Sequence, residues 1–125
     1  VKMDFASMAK TGSALGTGTI TVLDNKSCPV GMVDNIEAFF ARSSCGWGTP
    51  CREGLPWVSK ILGAIEAGKG ESEDMELLRE HTFLLGPGHT FCALAPCAMN
   101  PLRSALEYFG EDFERHITGR CCPWR

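Results

Sequence analysis

The chain has 125 residues, 12 Lys and Arg against 15 Asp and Glu, and a formal net charge of −3. That length suits one domain with a real apolar core, and the interleaved, slightly acidic charge excludes a polyanion-binding surface, so no nucleic acid partner is expected. No apolar run reaches the roughly 18 residues of a membrane span and no signal-peptide order opens the chain, so the sequence reads as soluble and cytoplasmic without direct membrane insertion. Beginning at Val1, it reads as a processed chain or a piece of a longer one. Seven cysteines, an odd number, suit a cytosolic thiol set that binds metal or does chemistry better than a disulfide framework.

Residues 1–27 read as the end of a preceding sheet domain plus a linker. Gly12-Ser13-Ala14-Leu15-Gly16-Thr17-Gly18 is too rich in glycine for a helix, and Thr19-Ile20-Thr21-Val22-Leu23 alternates as a short strand would. The glycine loop leads into that strand and lacks a following Lys-Ser/Thr pair, so it reads as a turn and not as a phosphate cradle. A lone strand is unstable, which implies that it completes a sheet supplied by sequence outside these residues.

Residues 28–118 read as a helical bundle. After the linker around Cys28-Pro29, a first helix is predicted from Asp34, with Glu37 in a capping-box relation and Val33, Ile36, Phe39 and Phe40 on its apolar face. A second runs from Cys51 or Leu55 to Ala67, burying Val58, Ile61, Leu62 and Ile65 and ending at Gly68-Lys69-Gly70. Ser72 and Asp74 open a third, lined by Met75, Leu78 and Leu85, with the acidic run Glu71-Ser72-Glu73-Asp74 suited to a helix N-terminus. Asn100-Pro101 starts a fourth, with Leu102, Ala105, Leu106, Phe109, Phe113 and Ile117 at intervals of three and four. Residues 119–125 read as a flexible tail. The predicted fold is mainly α, a four-helix bundle preceded by a short glycine-rich loop and a β-strand segment.

The chemistry concentrates in Ser44-Cys45-Gly46-Trp47-Gly48-Thr49-Pro50-Cys51-Arg52-Glu53-Gly54, a tight loop between two helical patterns. Iron–sulfur clusters need soft thiolates held on loops so that several sulfurs converge on one core. Cys45 and Cys51 stand at the outer positions of a Cys-x2-Cys-x2-Cys run, and Gly48 occupies the middle one. Trp47 is placed to exclude water beside such a core or to pack on the bundle, and Arg52 to neutralise charge or remain solvated. A zinc site using His89 is a weaker alternative, because Cys45 and Cys51 are spaced more loosely than usual zinc pairs. His81 and His116 read as satisfied or solvent-facing histidines, Cys28 as a packed thiol, and Cys121-Cys122 as thiols of the tail. No Ser-His-Asp or paired-carboxylate arrangement has a defensible spacing, so no catalytic residue is assigned.

The Ser-Cys-Gly-Trp-x-Thr-Pro-Cys-Arg-Glu-Gly loop closely resembles the cluster-binding loop of the NADH-oxidising flavoprotein subunit of bacterial respiratory complex I, and of related subunits of NAD-linked hydrogenases and formate dehydrogenases. The similarity extends to Gly12–Gly18, Glu37-Ala38-Phe39-Phe40-Ala41-Arg42, Leu55-Pro56-Trp57, Gly86-Pro87-Gly88, Phe91-Cys92-Ala93-Leu94-Ala95-Pro96 and Glu107-Tyr108-Phe109, nearly the whole chain. The resemblance implies a C-terminal four-helix bundle that holds one [4Fe–4S] cluster and relays electrons from a flavin, as part of an NADH:quinone oxidoreductase. The fragment alone is not expected to be catalytic.

By position the resemblance makes Cys45, Cys51 and Cys92 the cluster and metal ligands, with the fourth expected at Gly48. Three outcomes follow from that glycine: a [3Fe–4S] cluster, a substitute ligand such as Cys97, or no cluster. FMN and NADH would be bound by upstream sequence not present here. The implied partners are that upstream flavin and NADH-binding domain and the other peripheral-arm subunits of the complex, which would hold the protein at the cytoplasmic face of the inner membrane. The alternatives are a cluster-less structural or assembly module docking to partner subunits, and a zinc-stabilised binding domain.

Overall fold

The computed structural model describes all residues from Val1 to Arg125 as six α-helices with no strand. The helices are α1 (Phe5–Lys10), α2 (Pro29–Ser43), α3 (Thr49–Glu66), α4 (Ser72–Leu84), α5 (Leu94–Tyr108) and α6 (Gly110–Gly119). The mainly helical expectation therefore holds. The expected strand does not form: Thr19–Leu23 is irregular and largely exposed, because no second strand lies beside it to pair its backbone groups. In its place the N-terminal segment carries the short α1, capped by Asp4, whose Oδ1 accepts from Ser7 N at 2.8 Å. None of its residues is buried, and it packs against no other helix.

The core is shared by α2 to α6 and runs from Val30 and Val33 through Leu55, Val58, Leu62 and Ile65 to Leu78, Leu102 and Phe113. The stripe on α3 and the buried positions of α4 and α5 match the periodicity of the sequence, since residues three and four apart share one helical face. On α2 the inward face differs. Val30, Val33 and Glu37 point inward while Phe39 is 58% exposed. The helix starts five residues earlier than Asp34, because the Cys28 thiol accepts from Gly31 N at 3.2 Å as the cap and Pro29 takes the first helical position. The longer helix carries more turns against α3, its closest neighbour.

The fourth predicted helix is two. Pro101 lies inside α5, which begins at Leu94, and the backbone breaks at Phe109 (φ −123°, ψ 20°) before α6 resumes at Gly110. Beyond α6, Arg120 adopts a left-handed conformation and turns the chain back over the end of α3. Gly68 allows that approach: a β-carbon there would stand 2.1 Å from Arg120 O. Residues 121–125, expected as a tail, lie against the body, with Cys122 buried and Trp124 Nε1 donating to Asn25 O at 3.3 Å.

Candidate metal centre

Helices α2 and α3 form an antiparallel hairpin whose connection, residues 44–48, carries the cysteine loop. Cys51 sits in the first turn of α3, its Sγ 3.2 Å from Ser44 Oγ, and Gly46 N donates to the same hydroxyl at 3.2 Å. Arg52 ties the loop down from one turn into the helix: its Nη1 donates to Gly46 O at 3.0 Å and its Nε pairs with Glu53 Oε1 at 2.8 Å. Arg52 is thus a brace for the loop backbone.

The facing wall comes from the segment that precedes α5. Thr90 Oγ1 donates to Cys92 O at 3.0 Å, and Leu94 N lies within hydrogen-bond reach of Cys92 Sγ at 3.5 Å. The two walls enclose a recess lined by Cys45, Gly48, Cys51 and Cys92 together with Trp47 and Phe91. The rings of Trp47 and Phe91 meet edge to face at 4.5 Å across it. Both α3 and α5 begin beside this recess.

The structure brings together the three cysteines that the resemblance selects and places Gly48 in the same wall. A β-carbon at Gly48 would meet only Phe91 Cβ, at 3.9 Å, so the wall has room for a side chain at that position. Cys97 lies on the exposed surface of α5 and is not part of the lining. His89 is turned away, its Nδ1 on Phe83 O at 2.8 Å. His81 is buried against Trp57 with Nδ1 on Leu77 O at 2.7 Å. The flanking Pro50, Thr90 and Leu94 complete the lining; Pro50 and Leu94 stand in the segments that carry the family resemblance, and Thr90 is signalled only by lying two residues before Cys92.

The chemistry of the donors tests what group they suit. A single zinc ion holds two thiolates about 3.8 Å apart, from Zn–S bonds near 2.3 Å in a tetrahedron. The sulfurs of Cys45, Cys51 and Cys92 do not all lie within 4.8 Å of one another. Three soft sulfurs spread around a recess at two helix ends suit a larger multi-iron core, with the wall open at Gly48. Cys28 and Cys122 lie elsewhere, at the opposite end of the α2–α3 hairpin, about 20 Å away by the rise of the 15-residue α2.

Comparison with known proteins gives the same site a lineage. Residues 31–116 match the family described as the NADH-ubiquinone oxidoreductase-F iron-sulfur binding region. The F subunit of the NADH-quinone oxidoreductase of Escherichia coli is 53% identical over 115 residues, covering 92% of this chain and 26% of that protein. Its counterpart in Streptomyces coelicolor is 42% identical over 124 residues, 99% of this chain and 27% of the relative. That of Mycobacterium bovis is 35% identical over 124 residues, 99% and 28%. The chain thus spans about a quarter of the length of the curated relatives it matches. With the family match covering more than half of its residues and three cysteines meeting in one recess, the chain belongs to the family of the NADH-ubiquinone oxidoreductase-F iron–sulfur binding region.

Proposed function

We propose that this chain is the electron-transfer region of an NADH:quinone oxidoreductase flavoprotein subunit, and that Cys45, Cys51 and Cys92 hold an iron–sulfur cluster. The observation that carries the reading is the convergence of those three thiols on one recess at two helix N-termini, in a chain of this family. When bound, the cluster supplies one-electron transfer. The chain's own groups bind it and tune it. Ser44 Oγ and Leu94 N lie where they can hydrogen-bond the sulfurs of Cys51 and Cys92, which raises a cluster's reduction potential. Trp47 and Phe91 cover the recess and limit water. Arg52 holds the backbone of the loop that carries Cys45.

In this reading the flavin and the NADH site belong to a domain outside these residues, and the electrons leave to other subunits of the peripheral arm. The helices α2 to α6 serve as the bundle that docks between them. No helix is long and apolar enough to cross a membrane. Attachment at the cytoplasmic face of the inner membrane is accordingly assigned to the rest of the complex. Gly48 favours one second reading, a module that keeps the docking role and has lost its cluster.

Anaerobic reconstitution with iron and sulfide, followed by iron and sulfide determination and EPR, separates the two. Stoichiometric uptake that is lost on Cys45→Ser, Cys51→Ser or Cys92→Ser supports the electron-transfer reading. A chain that takes up no iron, even after Gly48→Cys, overturns it.

A further inference from the structure

At the far end of the α2–α3 hairpin, four side chains that the cluster site does not use converge on one point. They are Cys28 at the start of α2, Glu66 at the end of α3, His116 on α6 and Cys122 in the returning C-terminal turn. Their ligating atoms all lie within 4.8 Å of one another. Glu66, His116 and Cys122 are at least nine-tenths buried, and Cys28 is partly buried. We propose that these four residues form a tetrahedral zinc(II) site, with ligands Cys28 Sγ, Glu66 Oε2, His116 Nε2 and Cys122 Sγ.

Three separate features of the geometry support it. First, the spacing is that of a coordination shell. Zinc bonds of about 2.3 Å to sulfur and 2.0–2.1 Å to nitrogen or oxygen imply tetrahedral edges of about 3.3–3.6 Å between unlike donors. The observed separations are slightly shorter, 3.1 Å from His116 Nε2 to Glu66 Oε2, 3.3 Å from Cys28 Sγ to Glu66 Oε2 and 3.3 Å from Cys28 Sγ to His116 Nε2, so a small outward shift of the donors admits the ion.

Second, the outer contacts orient the ligands. His116 Nδ1 is 2.7 Å from Asp112 O, and a carbonyl only accepts, so the proton sits on Nδ1 and the Nε2 lone pair faces the other three donors. Gly31 N donates to Cys28 Sγ at 3.2 Å, the bond that a thiolate ligand at a helix N-terminus receives. Trp124 stacks on His116, ring centroids 5.8 Å apart at 18°, and closes the site from outside.

Third, a zinc ion completes the charge balance of the four-residue group. Glu66 Oε1 is buried, and Arg125 Nη2, 3.2 Å away, is the one cation paired with that oxygen. Two thiolates and a carboxylate bring three negative charges. Zinc supplies two positive ones, Arg125 supplies the third, and the two thiol protons leave to water on binding. The mixed set of two sulfurs, one imidazole and one carboxylate suits zinc, which accepts all three donor types in a tetrahedron.

The test uses the full 125-residue chain carrying Cys45→Ser, Cys51→Ser and Cys92→Ser, so that the loop thiols do not compete. Dialysed from zinc chloride under reducing conditions, it is expected to keep one zinc per chain. X-ray absorption should show two sulfurs and two nitrogen or oxygen donors. Adding Cys122→Ser should lower the zinc affinity at least a hundredfold, with circular dichroism reporting whether the helices persist. If that variant fails to fold, the donor shell of the parent protein still decides. Absence of zinc, a shell of other composition, zinc kept after Cys28→Ser and Cys122→Ser together, or a Cys28–Cys122 disulfide in protein prepared anaerobically overturns the site. None of these outcomes touches the cluster reading, which rests on the three thiols removed here.

Discussion

Leu85 fills the space that a side chain on Gly54 would need: its Cδ2 lies 2.7 Å, and its Cδ1 3.0 Å, from where a β-carbon of residue 54 would stand. Both residues are buried, Leu85 only 2% exposed, and the contact seats the end of α4 on α3 one turn beyond Cys51. Gly54→Ala therefore overpacks the joint. We expect a loss of about 1–3 kcal/mol in stability, read as a lower urea midpoint at unchanged slope. An alanine variant as stable as the parent would show that Leu85 yields freely.

The wall position held by Gly48 has backbone angles of −93° and 125° and room for a β-carbon, so Gly48→Cys should fold without strain. After anaerobic reconstitution the variant should hold more iron and acid-labile sulfide than the parent and keep it longer in air. Equal iron content in the two proteins would mean that residue 48 faces away from the core that forms.

Glu37 is fully buried on α2, and neither carboxylate oxygen has a partner. Burial pushes its carboxyl from the usual 4.5 up to about 8. Between those values the folded protein holds a proton that the unfolded chain has released. The stability tied to this proton is full below about pH 4.5 and is lost as pH rises through 8, on the order of a few kcal/mol across the window. Glu37→Gln removes the titration. The difference in unfolding free energy, parent minus variant, should fall from about pH 5 to about pH 8.5; a flat difference would show that Glu37 is charged in the fold.

Phe113 is the largest fully buried side chain and anchors α6 to the core. Its removal leaves a cavity among residues that cannot collapse into it, so Phe113→Ala should cost about 3–5 kcal/mol. Because α6 also carries His116, hydrogen exchange should rise first in α6 and in residues 120–125. Uniform loss of protection across all helices would contradict this order.

Much of the site was legible because its signals are local. Cys45 and Cys51 bracket a glycine- and proline-rich loop between two periodic segments, and local chain chemistry suffices to make that loop tight. The stripe Val58, Ile61, Leu62 and Ile65 needed only a period of 3.6. Cys92 entered through a family resemblance, since nothing in its own neighbourhood says that it faces a loop 41 positions earlier. The strand expected at Thr19–Leu23 shows the converse, a local pattern with no partner to pair with.

The sequence by itself determined that the chain is helical, that its apolar faces on α3, α4 and α5 turn inward, and that a sulfur-bearing loop joins α2 to α3. Only the tertiary structure decided which thiols meet. It gathered Cys45, Cys51 and Cys92 at one end of a helical hairpin and Cys28, Glu66, His116 and Cys122 at the other. The reason is physical: helix periodicity is written within a few residues, whereas the meeting of Cys28 with Cys122 depends on how five helices pack and on a left-handed turn at Arg120 that passes over Gly68.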